Sequence, residues 1–237
     1  MIKNIQQKII SFFQLFSHPE IKRIKSEGLT YIETDGLITI KKVIKEIETK
    51  KVPGHFIETG CALGGSAVLI GLAKNKERPF FVYDVFDMIP PPTEKDGEDV
   101  KDRYKVIKSG SSKGINNNKY YGYEKDIKSK VIDTLCSYGL DLNNNNIILV
   151  EGLYQNTLVI NEPVAFAHID CDWYESVMTC LMQITPNLSM QGVMIIDDYY
   201  CWSGCKTATD EYFADKRDDF LFRKIAGKLH ILKTISH

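Results

Sequence analysis

Acidic side chains follow four of the predicted strands of this chain, at the point where each strand ends. They are Glu58, Asp84, Asp170 and the adjacent pair Asp197 and Asp198. The carboxyl ends of parallel strands meet at one edge of a sheet, where ligands bind, so we expect these side chains to converge. Two carboxylates 4 Å apart repel by about 4 kcal/mol at an effective dielectric of 20. Asp170, Asp197 and Asp198 therefore predict a site for a hard divalent cation such as Mg²⁺.

A glycine-containing loop connects the first predicted strand to the helix that follows it. The residues of the loop and of the helix start that could contact a ligand are Glu58, Thr59, Gly60, Gly64, Gly65 and Ser66. Glycines let a ligand approach the backbone closely, and the first turn of a helix offers free N–H groups. The spacing GxxxGG differs from the GxGxxG of dinucleotide-binding folds, and the carboxylate of Glu58 would repel a pyrophosphate. The loop favours a ligand that carries an ammonium or a sulfonium group.

Asp84 ends the second predicted strand, where a carboxylate can accept hydrogen bonds from both hydroxyls of an adenosine ribose. NAD and S-adenosylmethionine both carry that ribose. An NAD-dependent oxidoreductase is therefore an alternative on this evidence, although the loop spacing and the acidic residues argue against it. A non-catalytic nucleotide-binding protein is a further alternative, but it would have no use for the clustered aspartates.

Several segments resemble the macrocin O-methyltransferase family. They are the strings FIETG…GG at residues 56–65, HIDCDWYES at 168–176, IIDDY at 195–199 and GCK…DE at 204–211. The resemblance covers roughly residues 30–216. It implies a class I methyltransferase that uses S-adenosylmethionine and Mg²⁺ to methylate hydroxyls of sugars.

The resemblance also assigns roles to residues of the predicted site. Asp170, Asp197 and Asp198 match the metal ligands, and Glu58, Gly60 and Asp84 match positions that bind the cofactor. We extend the predicted cofactor site to neighbouring loop and strand-end residues, namely Thr59, Gly64, Ser66, Glu151 and Gly152. The chain departs from the family in the segment after Asp84, where an acceptor would lie. A phenolic or catechol acceptor therefore stays an alternative to a sugar or a glycosylated small molecule.

The predicted reaction needs a group that removes a proton from the acceptor hydroxyl. Coordination of that hydroxyl to a divalent cation would make it a better nucleophile. Asp170 is a candidate for both metal ligand and proton acceptor. His168 shares a face of its strand with Asp170 and is a second candidate base. Tyr199 and Trp202 are the predicted contacts to the substrate, because aromatic faces suit sugar rings.

Strand and helix patterns alternate from residue 36 onward. The predicted strands are residues 55–58, 80–83, 147–150, 164–169, 193–196, 220–223 and 229–232. Several are apolar without alternation, as expected when helices cover both faces of a parallel sheet. We predict an α/β, Rossmann-like class I methyltransferase fold, with a mostly parallel seven-stranded sheet, helices on both faces and a lid insertion.

Two segments are predicted to lie outside this regular pattern. Residues 1–35 form a predicted N-terminal helical extension, because apolar residues recur at helical spacing between Ile2 and Phe16. Residues 36–237 form the predicted methyltransferase domain. Within it, residues 85–123 contain three consecutive prolines, many charges and several tyrosines. Connections of this length are often lids over active sites, and we predict a lid here.

Composition restricts the partners of the chain. The net charge is −1, so no overall field attracts nucleic acid. No stretch approaches the roughly 18 apolar residues of a transmembrane helix, and the N-terminus lacks the pattern of a signal peptide. The six scattered cysteines are expected to be reduced, as in intracellular enzymes. We predict a cytoplasmic enzyme with a small-molecule or saccharide substrate, and the apolar N-terminal helix is compatible with a homodimer.

Overall fold

A seven-stranded sheet forms the centre of the computed structural model, which describes residues 17–234. The strands are β1 (His55–Thr59), β2 (Phe80–Asp84), β3 (Ile147–Glu151), β4 (Val164–Ile169), β5 (Leu188–Ile196), β6 (Phe220–Ile225) and β7 (Lys228–Lys233). Their order across the sheet is β3-β2-β1-β4-β5-β7-β6. Neighbouring strands from β3 to β5 are parallel, whereas β7 is antiparallel to both β5 and β6. The predicted α/β fold with a mostly parallel seven-stranded sheet is confirmed.

Helices cover both faces of this sheet. They are α1 (Pro19–Ser26), α2 (Thr34–Thr49), α3 (Gly65–Ala73), α4 (Glu98–Lys108), α5 (Ile127–Ser137), α6 (Tyr154–Thr157), α7 (Tyr174–Ile184) and α8 (Ser203–Tyr212). Successive side chains of a strand point to opposite faces. Phe166 of β4 accordingly joins a core with α1, α2, α3 and α5, whereas Ala167 joins a second core with α7 and α8. Burial on both faces explains why β4 is apolar except for His168.

The register of the parallel strands brings their carboxyl ends level. Thr59 of β1 pairs with Tyr83 of β2 and with Ile169 of β4, and Ile169 pairs with Ile196 of β5. The residues that follow these pairs therefore lie in a row along one edge of the sheet. They are Gly60, Asp84, Asp170 and Asp197.

The segment before α2 packs on the same core as the sheet. Ile21 and Ile24 of α1 are fully buried in that core, together with Ile32. The backbone N–H of Gly65 donates to the carbonyl of Leu29 at 3.1 Å, which ties this segment to the start of α3. The predicted apolar helix between Ile2 and Phe16 lies outside the described residues.

Residues 85–123 carry α4 and are anchored to the domain by several polar contacts. The indole N–H of Trp173 donates to the carbonyl of Pro90 at 2.9 Å. Asp96 accepts a hydrogen bond from the backbone N–H of Tyr174 at 2.8 Å, and Asp99 accepts one from that of Ser203 at 2.9 Å. The first turns of α7 and α8 thus hold the segment over the carboxyl edge of the sheet.

Two element boundaries differ from the predictions by two residues or more. β5 begins at Leu188 rather than near residue 193. The prediction missed this start because polar Ser189 and Gln191 interrupt the apolar pattern of the strand. Its pairing with β4 also shifts register between Val164 and Phe166, which is the mark of a bulge. β6 extends to Ile225, two residues beyond its predicted end. Within residues 17–234, no helix is both long and apolar enough to cross a membrane.

Candidate functional site

A cleft of about 910 Å³ opens at the carboxyl edge of the sheet, and we refer to it as the main cleft. Its floor consists of strand-end residues, namely Gly60, Asp84, Asp170, Asp172, Asp197 and Asp198. Its walls come from the segment before α2 and from the 85–123 segment, through Tyr31, Arg103, Tyr120 and Tyr121. The three predicted metal ligands therefore share one cleft with the predicted lid and with three of the predicted cofactor residues, namely Gly60, Ser66 and Asp84.

The aspartates of this cleft contribute to two groups of ligand atoms, each close enough together to hold a metal ion, and Asp170 belongs to both. Ligand atoms of Asp170, Asp172 and Asp198 all lie within 4.8 Å of one another, as do those of His168, Asp170 and Asp197. Burial, followed by the charges of Asp197 and Asp198, raises the pKa of Asp170 well above its usual range. Burial and the charge of Asp198 raise the pKa of Asp172 in the same way. A cation among these carboxylates would relieve that repulsion.

Two buried carboxylate oxygens support this interpretation. Oδ1 of Asp197 and Oδ2 of Asp198 have no hydrogen-bond partner within the described part of the chain. A buried polar atom without a partner costs about 1–3 kcal/mol, more for a charged group. An all-oxygen set of this kind is what Mg²⁺ and Ca²⁺ prefer, so the residues present fit the predicted cation.

His168 lies beneath the aspartates and lines neither cleft of the site. It is fully buried, and its Nδ1–H donates to Glu58 at 2.9 Å. Its Nε2 is 3.6 Å from Oδ1 of Asp197. Burial lowers the pKa of His168, but Asp197 and Glu58 outweigh it and raise that pKa to about 10. His168 is thereby placed to hold Glu58 and Asp197 in position, and its role as a base stays a prediction.

Asp197 differs from the other aspartates because it already has a cationic partner. The ammonium of Lys228 forms an ion pair with Oδ2 of Asp197. His168 and Lys228 together lower the pKa of Asp197, against the opposing effect of burial. Asp197 is therefore held in its charged form, with its Oδ1 3.6 Å from Nε2 of His168 and without a hydrogen bond to the described residues.

Gly60 brings the glycine loop into contact with the aspartates. Its φ angle of +85° is one that L side chains rarely adopt. A Cβ at this position would overlap the backbone oxygen of Asp170. Gly64 also has a φ of +85° and precedes α3. Ser66 in the first turn of α3 lines the main cleft, and Thr59 is fully buried below the loop.

The carboxylate of Asp84 organises the loops on both sides of β2. Its Oδ2 accepts a hydrogen bond from the backbone N–H of Cys61 at 2.8 Å, and its Oδ1 accepts one from Phe86 at 2.8 Å. Burial raises its pKa, although these two bonds oppose the shift. A carboxylate has about four acceptor positions, so both oxygens can still accept hydrogen bonds from a ribose.

A second cleft of about 480 Å³ adjoins the first, and we refer to it as the side cleft. It shares five residues with the main cleft, namely Gly60, Asp84, Tyr121, Asp170 and Asp172. Its remaining lining is largely apolar and includes Val85, Ile89, Pro90, Leu153 and Tyr154. It has the chemistry expected of a slot for a flat heteroaromatic ring beside a ribose-binding acid.

Glu151 and Gly152 line neither cleft, and their assignment to the cofactor site stays a prediction. Glu151 is exposed and forms an ion pair with Lys128 at 3.2 Å. The N–H of Gly152 donates to the carbonyl of Asp84 at 3.0 Å. The chain turns away from β3 here, so the next three residues, Leu153, Tyr154 and Gln155, reach the side cleft instead.

The two predicted substrate contacts have different positions. Trp202 lines the main cleft and packs edge-to-face on Trp173, with 5.9 Å between ring centroids. Tyr199 faces a separate groove, where its hydroxyl donates to Asp210 at 2.6 Å. The turn after Asp198 directs the side chain of Tyr199 toward α8, and its contact with the substrate stays a prediction.

The sequence patterns left three cleft residues without a role. Asp172 has a φ of +59°, and that turn brings its side chain to both clefts. The spacing of Asp170 and Asp172 was the signal that could have found it. Arg103 and Tyr121 come from the 85–123 segment, where no periodic pattern indicates which side chains face inward.

Comparison with known proteins identifies the family. The family model for macrocin-O-methyltransferase (TylF) matches residues 22–225. The chain belongs to this family. A curated relative, demethyldecarbamoylnovobiocin O-methyltransferase of Streptomyces niveus, is 27% identical over 215 residues, which cover 84% of this chain and 77% of the relative.

Solved structures show the same fold. The O-methyltransferase NovP matches with a TM-score of 0.72 and 24% identity, over 87% of this chain and 83% of its own. The calicheamicin methyltransferase CalS11 matches with a TM-score of 0.61 and 18% identity, over 86% and 80%. Another CalS11 structure, described as TDP-rhamnose 3′-O-methyltransferase, has a TM-score of 0.51 and 19% identity, over 86% and 81%.

As a member of the macrocin O-methyltransferase family, this chain is an O-methyltransferase that depends on S-adenosylmethionine. The predicted enzyme class and methyl donor are confirmed. An NAD-dependent oxidoreductase, the alternative that Asp84 alone left open, is excluded by membership of this family.

Proposed function

We propose that this enzyme methylates a hydroxyl of a sugar or of a glycosylated small molecule, and that the reaction needs Mg²⁺ or a similar divalent ion. The converging carboxylates of Asp170, Asp197 and Asp198 support the metal. The sugar is supported by a neighbour in fold that is described as acting on TDP-rhamnose, and by the family to which the chain belongs.

The two clefts suggest how the methyl donor is bound. The apolar side cleft would take the adenine ring, with Asp84 at the ribose hydroxyls. Gly60 lies where the two clefts meet, so the sulfonium end of the donor would pass its backbone there. S-adenosylmethionine supplies an electrophilic methyl group, which would then point into the main cleft toward the acceptor.

Asp170, Asp197 and Asp198 would hold the divalent ion. Asp170 belongs to both groups of closely spaced ligand atoms, and the other two contribute their unpartnered oxygens. When bound, such an ion lowers the pKa of a hydroxyl that lies against it. Glu58 and His168 fix the position of Asp197 from below, and Lys228 fixes it from the side.

Asp172 is our candidate for the proton acceptor, in place of Asp170. Both residues line the two clefts, but Asp170 belongs to both groups of closely spaced ligand atoms and is needed as a ligand, whereas Asp172 belongs to only one of them. A carboxylate with a raised pKa is a better proton acceptor near neutral pH, and burial raises the pKa of Asp172. Trp202 and Tyr121 would contact the acceptor ring from the walls of the cleft.

A methyl-transfer assay tests the acceptor and the metal separately. Radiolabelled S-adenosylmethionine is offered with TDP-rhamnose, simple rhamnosides or catechol, after treatment with EDTA and with or without added Mg²⁺. We expect transfer to a sugar hydroxyl only when Mg²⁺ is present. Transfer to catechol alone would replace the sugar by a phenolic acceptor, and full activity in EDTA would remove the metal from the reaction.

The metal site can also be tested without an acceptor. Asp198→Asn should weaken Mn²⁺ binding on the order of 100-fold, because it removes a charged ligand. Binding of S-adenosylhomocysteine should be unchanged. Asp102→Asn removes an exposed acid of α4 and is the matched control. Equal Mn²⁺ affinity in the two variants, measured by electron paramagnetic resonance, would contradict the proposed ligand.

A further inference from the structure

Arg103 is the one cationic side chain among the described residues that line the two clefts. The same clefts are lined by six acids, namely Asp84, Asp87, Asp170, Asp172, Asp197 and Asp198. Arg103 belongs to α4, in the middle of the 85–123 segment. The main cleft thus has a floor of carboxylates and a single guanidinium in its wall.

The other cations near the aspartates already have partners. Lys228 forms an ion pair with Asp197, and His168 donates to Glu58. Neither of them lines a cleft. They stabilise the charges of the floor and are not free to bind a ligand.

Arg103 has no such partner within residues 17–234. It makes no hydrogen bond and no ion pair there, and its contact with the Tyr120 ring is at 5.7 Å from the centroid. The charge of Arg103 lowers the pKa of Asp172 slightly, against the larger effect of burial. No carboxylate of the described residues, however, lies within 4.0 Å of the guanidinium. A partly buried guanidinium that only balanced Asp172 would be expected to form that pair.

We propose that Arg103 binds an anionic group, a carboxylate or a phosphate, of a ligand that occupies the main cleft. A guanidinium offers five N–H donors in a planar fork that matches both groups. Arg103 therefore selects ligands by charge, a role distinct from the chemistry at the aspartates. The proposal rests on the proposed function only in that the main cleft receives the donor and the acceptor.

Two ligands could supply the anionic group. S-adenosylmethionine carries a carboxylate at its amino-acid end, and Tyr31, beside which Arg103 lies, belongs to the segment that packs on the start of α3. An acceptor such as a sugar nucleotide carries phosphates, and Asp172, whose pKa the charge of Arg103 lowers, lines both clefts. The chemistry required of Arg103 is the same in both cases.

The test compares Arg103→Gln with Lys105→Gln, which removes the same charge from an exposed position of the same helix. Sulfate is titrated at millimolar concentration while the unfolding temperature is recorded. We expect a saturable rise in the wild type and in Lys105→Gln, and none in Arg103→Gln. Arg103→Lys keeps the charge without the fork and should retain part of the rise.

Calorimetric binding then distinguishes the two sources. S-adenosylhomocysteine carries the carboxylate, whereas 5′-methylthioadenosine lacks the whole amino-acid end. A loss of tenfold or more for the first ligand only, in Arg103→Gln, would assign the cofactor carboxylate. Unchanged affinity for both, together with the lost sulfate response, would assign an anion of the acceptor.

An Arg103→Gln variant with the sulfate response and the S-adenosylhomocysteine affinity of Lys105→Gln would overturn the proposal. None of these measurements involves turnover. An enzyme that proves to be metal-independent, or that prefers catechol, would therefore refute the proposed function without affecting this result.

Discussion

The charge of His168 depends on two carboxylates that lie on either side of its ring. Glu58 and Asp197 are nearly or fully buried, so little water competes with the imidazolium for them. The predicted pattern placed His168 on the same strand face as Asp170 but could not show Glu58, because that contact follows from the pairing of β1 with β4. Side chains 110 residues apart meet only once the sheet order is known.

Replacing His168 by Asn should destabilise the protein by about 3 kcal/mol or more, because it leaves buried carboxylates without their partner. The folded-state pKa of about 10 lies above the ordinary value of 6.5. The stabilisation is therefore complete below about pH 6.5 and is lost as the pH rises through 10. Urea unfolding of wild type and variant between pH 6 and 10 measures this.

His55→Asn is the control for that experiment, because His55 is only partly buried at the opposite end of β1. Its substitution should cost less and should not show the same dependence above pH 7. If the difference in the free energy of unfolding between wild type and His168→Asn did not shrink toward pH 10, His168 would not be charged in the folded protein.

At the scale of elements, the loop after β1 depends on one glycine. Gly60 combines a left-handed backbone conformation with direct contact to the strand end of β4. Gly60→Ala should destabilise the fold by about 3 kcal/mol and weaken binding of S-adenosylhomocysteine. The conformational strain alone accounts for about 1 kcal/mol, and the remainder comes from displacement of the Asp170 backbone.

Gly110→Ala separates these two contributions. Gly110 has a φ of +77° and open space around it, so its substitution should show the strain alone. Denaturant unfolding and calorimetric binding of both variants provide the comparison. Equal stability losses would show that contact with Asp170 adds nothing.

The elements themselves were largely predictable. Apolar strands such as Val164–Ile169 matched their predicted bounds, because burial on both faces leaves a continuous pattern. The start of β5 was not predictable from the sequence, because the bulged part of the strand carries polar residues. The wall of the side cleft that Leu153 and Tyr154 form was not predicted either. The turn at Gly152 (φ +140°) decides which residues point inward.

For the whole molecule, the position of the 85–123 segment is the feature on which substrate access depends. Its lid role stays a prediction. The segment contributes Arg103, Tyr120 and Tyr121 to the main cleft, so a ligand there would connect it to the sheet edge. Hydrogen exchange of residues 98–123 should therefore slow when S-adenosylhomocysteine and Mg²⁺ are added.

Residues 220–233 form the β6–β7 hairpin, which lines neither cleft, and serve as the internal control. Their exchange should change little. Equal slowing in both regions would indicate general stabilisation, and no change in the 98–123 region would argue against a lid.

The residues of the main cleft come partly from strand ends and partly from one connecting segment. This arrangement also affects how the enzyme could acquire new substrates. The aspartates and Gly60 are fixed by strand pairing and cannot change one at a time without cost. The connection between β2 and α5 can vary in length and sequence while the sheet stays intact. Exchange of residues 85–123 among members of the family should thus transfer acceptor preference and leave the methyl donor unchanged.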